Sequence, residues 1–267
     1  MPAVPAPSVV ATPGAAGAPG PTHRSPAEAA VYLAAGDPVL AELLAAHGPP
    51  PRRRPVRSAA RFGALAEIIV FQQLAGKAAA SIHRRLVDAL GGSVTTDSVL
   101  AASPETLTGS GLSGSKAAAL RDLAIRTADG RLRLDRIGRL SDDSVCEHLV
   151  QVRGVGPWSA DMFLLSVLGR LDVWPVGDYG VRVGFARAWR LPSVPSPKEL
   201  VTLGEPFRPY RSLVAWYCWR VLDQAPPGTE AADGRRKAPV APATSGRAPV
   251  RTVPASRSPR RRRGGSD

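Results

Sequence analysis

The middle of the chain consists of one predicted helical segment after another, and several of these segments open with a helix-start signal. Ser25 and Asp37 each stand directly before a proline, and Ser141 stands before two aspartates. Such side chains cap the free amides of a first helical turn, and proline fits the first helical position. Apolar residues then recur at helical spacing, and no convincing run alternates as a strand does. The sequence therefore predicts an all-α fold.

Both ends of the chain differ from this middle part in composition. They are rich in Ala, Pro, Gly, Ser and Arg and contain few large apolar residues. Such segments cannot bury enough apolar surface to offset the entropy lost on ordering. We predict disordered tails at residues 1–26 and 226–267, with a helical domain over residues 27–225 between them.

The charge of the chain favours a polyanionic partner. Its 267 residues include 35 Lys and Arg against 22 Asp and Glu, a formal net charge of +13 and a pI of about 11.0. Ten basic and three acidic residues lie from Ala225 onward, which leaves +6 on the rest of the chain. Since the predicted domain is itself basic, nucleic acid is the expected partner, and the tail is interpreted as a salt-sensitive tether.

Cysteine usage and hydropathy exclude several other classes of protein. Cys146 and Cys218 both lie in apolar helical patterns, where a cysteine is usually a small buried hydrophobe. Two cysteines are too few for a disulfide framework or a four-cysteine iron–sulfur cluster, and they argue against a zinc site. No signal peptide and no run of about 18 apolar residues is present, so we expect no membrane association and a cytoplasmic, DNA-associated location, in the nucleoid or nucleus according to source.

The stretch VRGVGPWSAD, from Val152 to Asp161, joins two predicted helices unusually tightly. Gly154 and Gly156 flank Val155 and leave the backbone free of side chains, and proline follows as a first helical residue. Exposed amides at the start of a helix can bind an anion such as phosphate. Two interpretations stay open on these residues alone, a plain helical hairpin with a glycine turn and a phosphate-binding hairpin.

A second feature follows the hairpin in VWPVGDYGVR, where Asp178 stands at a predicted helix start with Arg182 one turn later. Taken alone, Asp178 is most simply an N-cap. As a site residue it would be a carboxylate that the helix dipole favours as an anion.

Together these residues resemble the helix-hairpin-helix (HhH-GPD) superfamily of DNA glycosylases. Three further segments are similar in content and order to its alkylpurine, or 3-methyladenine, branch: FGALAEIIVFQQLAGKAA, GLSGSKAAALRDLA and EPFRPYRSLVAWYCWRVL. The resemblance runs from about Arg61 to Leu222. It implies two helical subdomains that flank a DNA-binding cleft, in the shorter form that lacks an α/β N-terminal domain. It also implies damaged double-stranded DNA as the partner of a monomeric enzyme.

The resemblance also implies roles for individual residues. Asp178 matches the catalytic aspartate, and the backbone of Gly154, Val155 and Gly156 matches the hairpin that holds a DNA phosphate. Trp158 stands where bifunctional glycosylase/lyases carry the lysine that forms a Schiff base. Because tryptophan cannot be that nucleophile, the resemblance implies release of a base without strand cleavage.

Extrusion of a base requires a residue that fills the gap left in the duplex. The resemblance places this wedge in FQQLAG, where Gln73 matches best and Leu74 is the neighbouring candidate; a solvated or capping pair of Gln72 and Gln73 is the alternative. Lys116 and Arg182 are further candidates for contact with DNA, although a solvated helix-start lysine is an equal interpretation of Lys116.

The resemblance implies a pocket that receives the extruded base through cation–π contact. Its implied members are Trp158, Trp219, Trp216, Tyr217 and Met162, with Tyr210 as an additional candidate. Met162 stands where some relatives carry an aromatic ring. The alternative for Trp216 and Trp219, three residues apart on one helix, is that they anchor the core.

The chemistry implied is hydrolysis of the N-glycosidic bond of alkylated purines of the 3-methyladenine and 7-methylguanine class. Asp178 would stabilise the positive charge that develops on the sugar, or align or deprotonate a water molecule. No cofactor and no side-chain metal site is expected, although the resemblance allows a monovalent cation at the hairpin backbone. A noncatalytic DNA-binding protein and a bifunctional glycosylase/lyase remain the alternatives.

Overall fold

The computed structural model of the protein describes residues 25–74 and 76–223, and the all-α prediction is confirmed there, since this part contains helices and no strand. The predictions for the two tails fall outside the described residues, except at Ser25 and Pro26. The α-helices are α1 (Pro26–Gly36), α2 (Pro38–His47), α3 (Arg61–Phe71), α4 (Gly76–Ala89), α5 (Thr96–Ala101), α6 (Pro104–Gly109), α7 (Gly114–Ala128), α8 (Asp142–Leu149), α9 (Pro157–Ser166), α10 (Tyr179–Ala188), α11 (Pro197–Gly204) and α12 (Arg211–Asp223).

The predicted capping residues open the helices they precede. Ser25 accepts a hydrogen bond from the Glu28 amide while the Glu28 carboxylate accepts one from the Ser25 amide, which satisfies two otherwise unpaired donors. Asp37 caps α2 through the Leu40 amide at 3.0 Å. Ser25 therefore caps α1 and Pro26 is its first residue, as the helix-start signal predicts, whereas the predicted N-terminal tail extends to residue 26.

The helices form two groups. One group comes from the middle of the described chain, and the other combines helices from its two ends. Helices α3 to α9 pack on one another, and the second group unites α1 and α2 with α10 and α12. Helices α10 and α12 approach closely because Gly184 has no side chain: a Cβ atom there would lie 2.1 Å from the Cys218 carbonyl oxygen. Each group buries its own apolar stripe, and the buried residues join in one core. The expected two helical subdomains are thus present.

Two loops between helices carry most of the candidate residues. Helix α3 ends at Phe71 and α4 begins at Gly76, so Gln72 and Gln73 lie in the corner between these two helices. Helices α8 and α9 are joined by residues 150–156, the predicted tight hairpin. No helix in residues 25–74 and 76–223 is long and apolar enough to cross a membrane.

Candidate active site

The Asp178 carboxylate lies at the junction of the two helix groups. The residue caps α10, and its Oδ1 atom accepts a hydrogen bond from the Val181 amide at 2.8 Å. Only 1% of Asp178 is exposed, which is unusual for an N-cap. Burial of a carboxylate is costly unless hydrogen-bond donors replace the lost water. The other donors to Asp178 therefore show whether the carboxylate does more than cap α10.

Two indole groups supply those partners. Trp219 of α12 donates from Nε1 to Asp178 Oδ1 at 3.1 Å, and Trp158 of α9 donates from Nε1 to Oδ2 at 2.7 Å. The three donors come from both helix groups and hold the carboxylate in one orientation. Trp158, predicted as a wall of the base pocket, is therefore placed as a hydrogen-bond donor to the carboxylate.

A second carboxyl group lies near the first and was missed by the sequence analysis. Asp161 follows Trp158 by three residues on α9. Its burial, and secondarily the charge of Asp178, raise the pKa of the Asp161 carboxyl to about 7. The two aspartates are 17 positions apart, and no local pattern could have indicated that they interact.

An apolar cavity opens beside Trp219. Its walls include Met162 and Leu165 of α9 and Trp216 of α12, so three of the predicted pocket residues lie around one space. Pro50 and Arg53, in the basic linker between α2 and α3, form a further wall. Because Trp219 both lines the cavity and holds Asp178, the cavity adjoins the carboxylate.

Tyr217 lies elsewhere, which corrects its predicted place in the pocket. Its hydroxyl donates to the Gly48 carbonyl at 3.1 Å, and burial raises its pKa to about 12. Helical geometry explains the difference, since Tyr217 falls between Trp216 and Trp219 and points away from the cavity that those two rings line. Tyr210, the additional candidate, is also fully buried and is in edge-on contact with Tyr32.

The hairpin between α8 and α9 uses its two glycines differently. Gly154 has a φ of +74°, a left-handed conformation that favours glycine, whereas Gly156 is extended with a φ of −108°. Gly154 therefore uses the conformational freedom of glycine, whereas Gly156 contributes only the absence of a side chain. A Cβ atom at Gly156 would meet nothing within 4 Å, so the bare backbone there faces open space.

The hairpin also presents unused donors. The amides of Gly154, Gly156 and Trp158 have no acceptor within the part of the chain that the structure describes. Val155 between them is buried and anchors the loop, and the Arg153 amide donates to Asp122 of α7 at 2.8 Å. A fixed loop with outward-facing amides at a helix start has the properties of an anion site.

Two residues predicted to contact DNA are instead engaged inside the protein. The Gln72 side chain donates to the Gly154 carbonyl at 2.9 Å and to the Ser159 hydroxyl at 2.8 Å. Lys116 donates from Nζ to the carbonyls of Val70 and Gln72, at 2.6 and 2.7 Å. The end of α3 leaves carbonyl groups unpaired, and a cation is favoured there. These bonds brace the corner, and direct contact of the two side chains with DNA stays a prediction.

The remaining candidates of this surface differ in exposure. Gln73 is exposed at the tip of the corner with a φ of +57°, a conformation uncommon outside glycine, while Leu74 is half-buried against the core. Arg182 donates from Nε to the Pro195 carbonyl at 2.7 Å and lies over the Tyr179 ring. Gln73 is thus the predicted wedge candidate whose side chain projects into solvent, and Arg182 is held by the neighbouring loop.

Within residues 25–74 and 76–223, no group of three or more His, Cys, Asp or Glu side chains could hold a metal ion. Cys146 and Cys218 are free thiols, and burial raises the pKa of both. The possible cation at the hairpin backbone remains a prediction.

The chain is similar to known proteins in sequence and in fold. A family model described as "HhH-GPD superfamily base excision DNA repair protein" matches residues 66–209. DNA-3-methyladenine glycosylase 1 of Schizosaccharomyces pombe is 31% identical over 62% of this chain and 76% of its own length. The DNA-3-methyladenine glycosylase of Saccharomyces cerevisiae is 36% identical over 47% of this chain and 46% of its own. The solved structure of the S. pombe 3-methyladenine DNA glycosylase with abasic DNA superposes with a TM-score of 0.69 at 28% identity, over 74% of this chain and 98% of that one.

Proposed function

Because the chain belongs to the HhH-GPD superfamily of base excision DNA repair proteins, we propose that it is a monofunctional DNA glycosylase that removes alkylated purines and leaves an abasic site. The observation that carries the proposal is the Asp178 carboxylate, which is 1% exposed, held by three donors and adjacent to a tryptophan-lined cavity. Damaged double-stranded DNA is the proposed substrate of a monomer in the compartment that holds the DNA.

Binding would begin at the hairpin. The free amides of Gly154, Gly156 and Trp158 would take a phosphate of the damaged strand, and the helix start of α9 would favour its charge. A stacked base is out of reach of Asp178, so the nucleotide must leave the duplex. Gln73, exposed at the corner between α3 and α4, would fill the gap, and the hydrogen bonds of Gln72 and Lys116 would keep that corner rigid.

The extruded base would enter the cavity beside Trp219. A purine methylated at N3 or N7 carries positive charge, and stacking on an indole face is worth about 0.5–2 kcal/mol according to desolvation. The same charge makes the base a good leaving group, so a strong general acid is unnecessary. Asp178 would stabilise the positive charge that develops on the sugar, or align or deprotonate the attacking water.

The side chain at position 158 supports release of the base without strand cleavage. A Schiff base requires an amine, and the indole of Trp158 is committed to Asp178. The lysines of the chain are Lys77, Lys116, Lys198 and Lys237, of which Lys116 is occupied at the end of α3. Position 158 itself therefore offers no amine to the reacting sugar.

The proposal is tested with Asp178→Asn, which keeps the shape of the residue but removes its charge. Methylated DNA is incubated with each protein, free bases are measured by chromatography, and strand breaks are measured before and after alkali. We expect base release by the unaltered chain only, with strands intact until alkali treatment. Asp143→Asn, at an exposed position in the first turn of α8, is the matched control and should retain full activity.

Other outcomes identify the alternatives. Equal release by the unaltered chain and Asp178→Asn would exclude the proposed role of the carboxylate. Strand breaks that appear without alkali would favour a bifunctional lyase. Tight binding of damaged DNA with no release of base would favour a noncatalytic DNA-binding protein.

A further inference from the structure

The linker between α2 and α3 forms one wall of the cavity and is held in place at several points. We call residues 48–56 the strap. Tyr217 donates to the Gly48 carbonyl at 3.1 Å, and the Val56 amide donates to the Val167 carbonyl at 2.7 Å. Four of its nine residues are proline, which restricts the backbone between these two points. The strap is therefore an ordered part of the fold, fixed by hydrogen bonds at both ends.

Arg53 occupies the middle of the strap. Its carbonyl oxygen lies so close to Gly169 that a Cβ atom on that glycine would be 3.2 Å away, which fixes the height of the strap over the end of α9. The residue is half-buried and lines the same cavity as Trp216 and Trp219. Burial, and secondarily the charge of Arg220, lower the pKa of its guanidinium.

The guanidinium of Arg53 differs from its neighbours in having no partner in residues 25–74 and 76–223. Arg220 pairs with Asp223 at 2.8 Å and Arg170 pairs with Asp142 at 3.0 Å, but no carboxylate or hydrogen-bond acceptor reaches the Arg53 side chain. A partly desolvated cation without a partner is costly. Its five donors are available to a ligand in the cavity.

We infer that Arg53 is a specificity-determining residue of the base pocket, which donates to the O6 oxygen of 6-oxopurines and raises their release relative to that of 6-aminopurines. This inference rests on the proposed function. Guanine-type bases such as 7-methylguanine and hypoxanthine carry an acceptor at position 6, and arginine is the usual donor to that edge. In 3-methyladenine the same position carries an amine, which offers hydrogens to a group that has only donors. The tryptophan rings bind 6-oxopurines and 6-aminopurines alike, and Arg53 discriminates between the two classes.

The test compares two bases released from the same DNA. Methylated DNA is treated with the unaltered chain, Arg53→Gln, Arg53→Lys and Arg52→Gln, and single-turnover rates are measured for 7-methylguanine and 3-methyladenine. A duplex with one hypoxanthine supplies a neutral 6-oxopurine. Arg53→Gln should slow release of the two oxopurines by about tenfold and change that of 3-methyladenine by less than twofold. Arg53→Lys, which keeps the charge but loses the planar pair of donors, should lie between.

Arg52→Gln removes an exposed arginine next to Arg53 and should leave the ratio of the two rates unchanged. A purely structural role of Arg53 would slow all three bases equally, and this result would overturn the inference. Unchanged rates in Arg53→Gln would overturn it as well while the proposed function stands. Release of no base by the unaltered chain would instead contradict the proposed function, and the inference would fall with it.

Discussion

Trp158 and Trp219 donate hydrogen bonds to the Asp178 carboxylate from their ring nitrogens. A substitution that keeps the aromatic ring but removes its N–H group tests this hydrogen bond without removing the ring that could stack on a base. Trp158→Phe keeps an aromatic ring but removes the donor 2.7 Å from Oδ2. A hydrogen bond to a charged group is worth about 1.5–3 kcal/mol. Because the carboxylate loses a positioning contact, we expect the single-turnover rate of base release to fall by about 10–100-fold.

The chain contains a matched control for this substitution. Trp189 donates from Nε1 to Asp37 at 3.1 Å, an indole–carboxylate pair away from the cavity. Trp189→Phe should lower the midpoint of thermal unfolding while the rate of base release stays within twofold. Equal loss of rate in the two variants would show that any lost indole–aspartate bond acts through stability.

Asp161 adds a pH-dependent term to stability, because burial and Asp178 raise its pKa to about 7 from an ordinary value near 4. Below that ordinary value the group is protonated in both the folded and the unfolded chain. As pH rises towards 7 the unfolded chain loses the proton first, so the group progressively destabilises the fold. Asp161→Asn removes this cost and should raise the free energy of unfolding at pH 8 by about 1–3 kcal/mol, after partial exposure is discounted.

The measurement is urea unfolding of both proteins at pH 4.5 and pH 8. Most of the difference between them should disappear at pH 4.5, since the penalty grows mainly above that value. A stabilisation of the same size at both pH values would contradict a titrating origin. Asp97→Asn, an exposed site on α5, should change neither curve by more than about 0.5 kcal/mol.

At the scale of elements, substitutions in the hairpin between α8 and α9 should distinguish an effect on folding stability from an effect on DNA binding. Gly156 is extended and a Cβ atom there meets nothing within 4 Å, so Gly156→Ala should change the free energy of unfolding by less than about 0.5 kcal/mol. Its methyl group would nevertheless stand among the free amides. Affinity for a duplex with an abasic-site analogue, measured by fluorescence anisotropy, should fall by about tenfold.

Gly154→Ala should instead act mainly on the free energy of unfolding and less on affinity for DNA. Its φ of +74° strains any residue with a Cβ atom, at a cost of about 1–2 kcal/mol. Gly36→Ala, at an open position at the end of α1, is the control for both measurements. If Gly156→Ala binds the duplex as tightly as the unaltered chain, the hairpin amides do not hold the phosphate.

The sequence predicted local elements well because their causes are local. Ser25, Asp37 and Ser141 cap helices through residues three positions away, and the hairpin glycines and Pro157 act within one turn. The bonds that organise the site join distant positions: Trp219 reaches Asp178 across 41 residues, and Gln72 reaches Ser159 across 87. No spacing in the chain encodes such pairs. For the same reason the sequence does not predict that Lys116 and Gln72 brace the corner at the end of α3.

At the scale of the whole molecule, charge and chemistry belong to different parts of the chain. The described site lies within residues 25–223, whereas the segment from Ala225 onward, with ten basic and three acidic residues, carries +7 of the net +13. Binding to duplex DNA weakens with salt by a logarithmic slope of about 0.9 for each phosphate neutralised. A chain that ends at Asp223 should therefore bind undamaged duplex more weakly at low salt, and its salt slope should be smaller by about 3–6.

The same truncation should leave catalysis intact, which makes the prediction specific. At enzyme concentrations that saturate methylated DNA, the single-turnover rate of base release should stay within twofold, because no residue of the Asp178 site or of the cavity is removed. Replacement of Arg260, Arg261, Arg262 and Arg263 by glutamine retains the length of the tail and should reproduce part of the loss in salt slope. If that variant keeps the full slope while the truncated chain loses it, the tail acts through its length or another segment and the electrostatic explanation fails. If truncation lowers the saturated rate, the tail takes part in the reaction itself, and the separation of charge from chemistry is wrong.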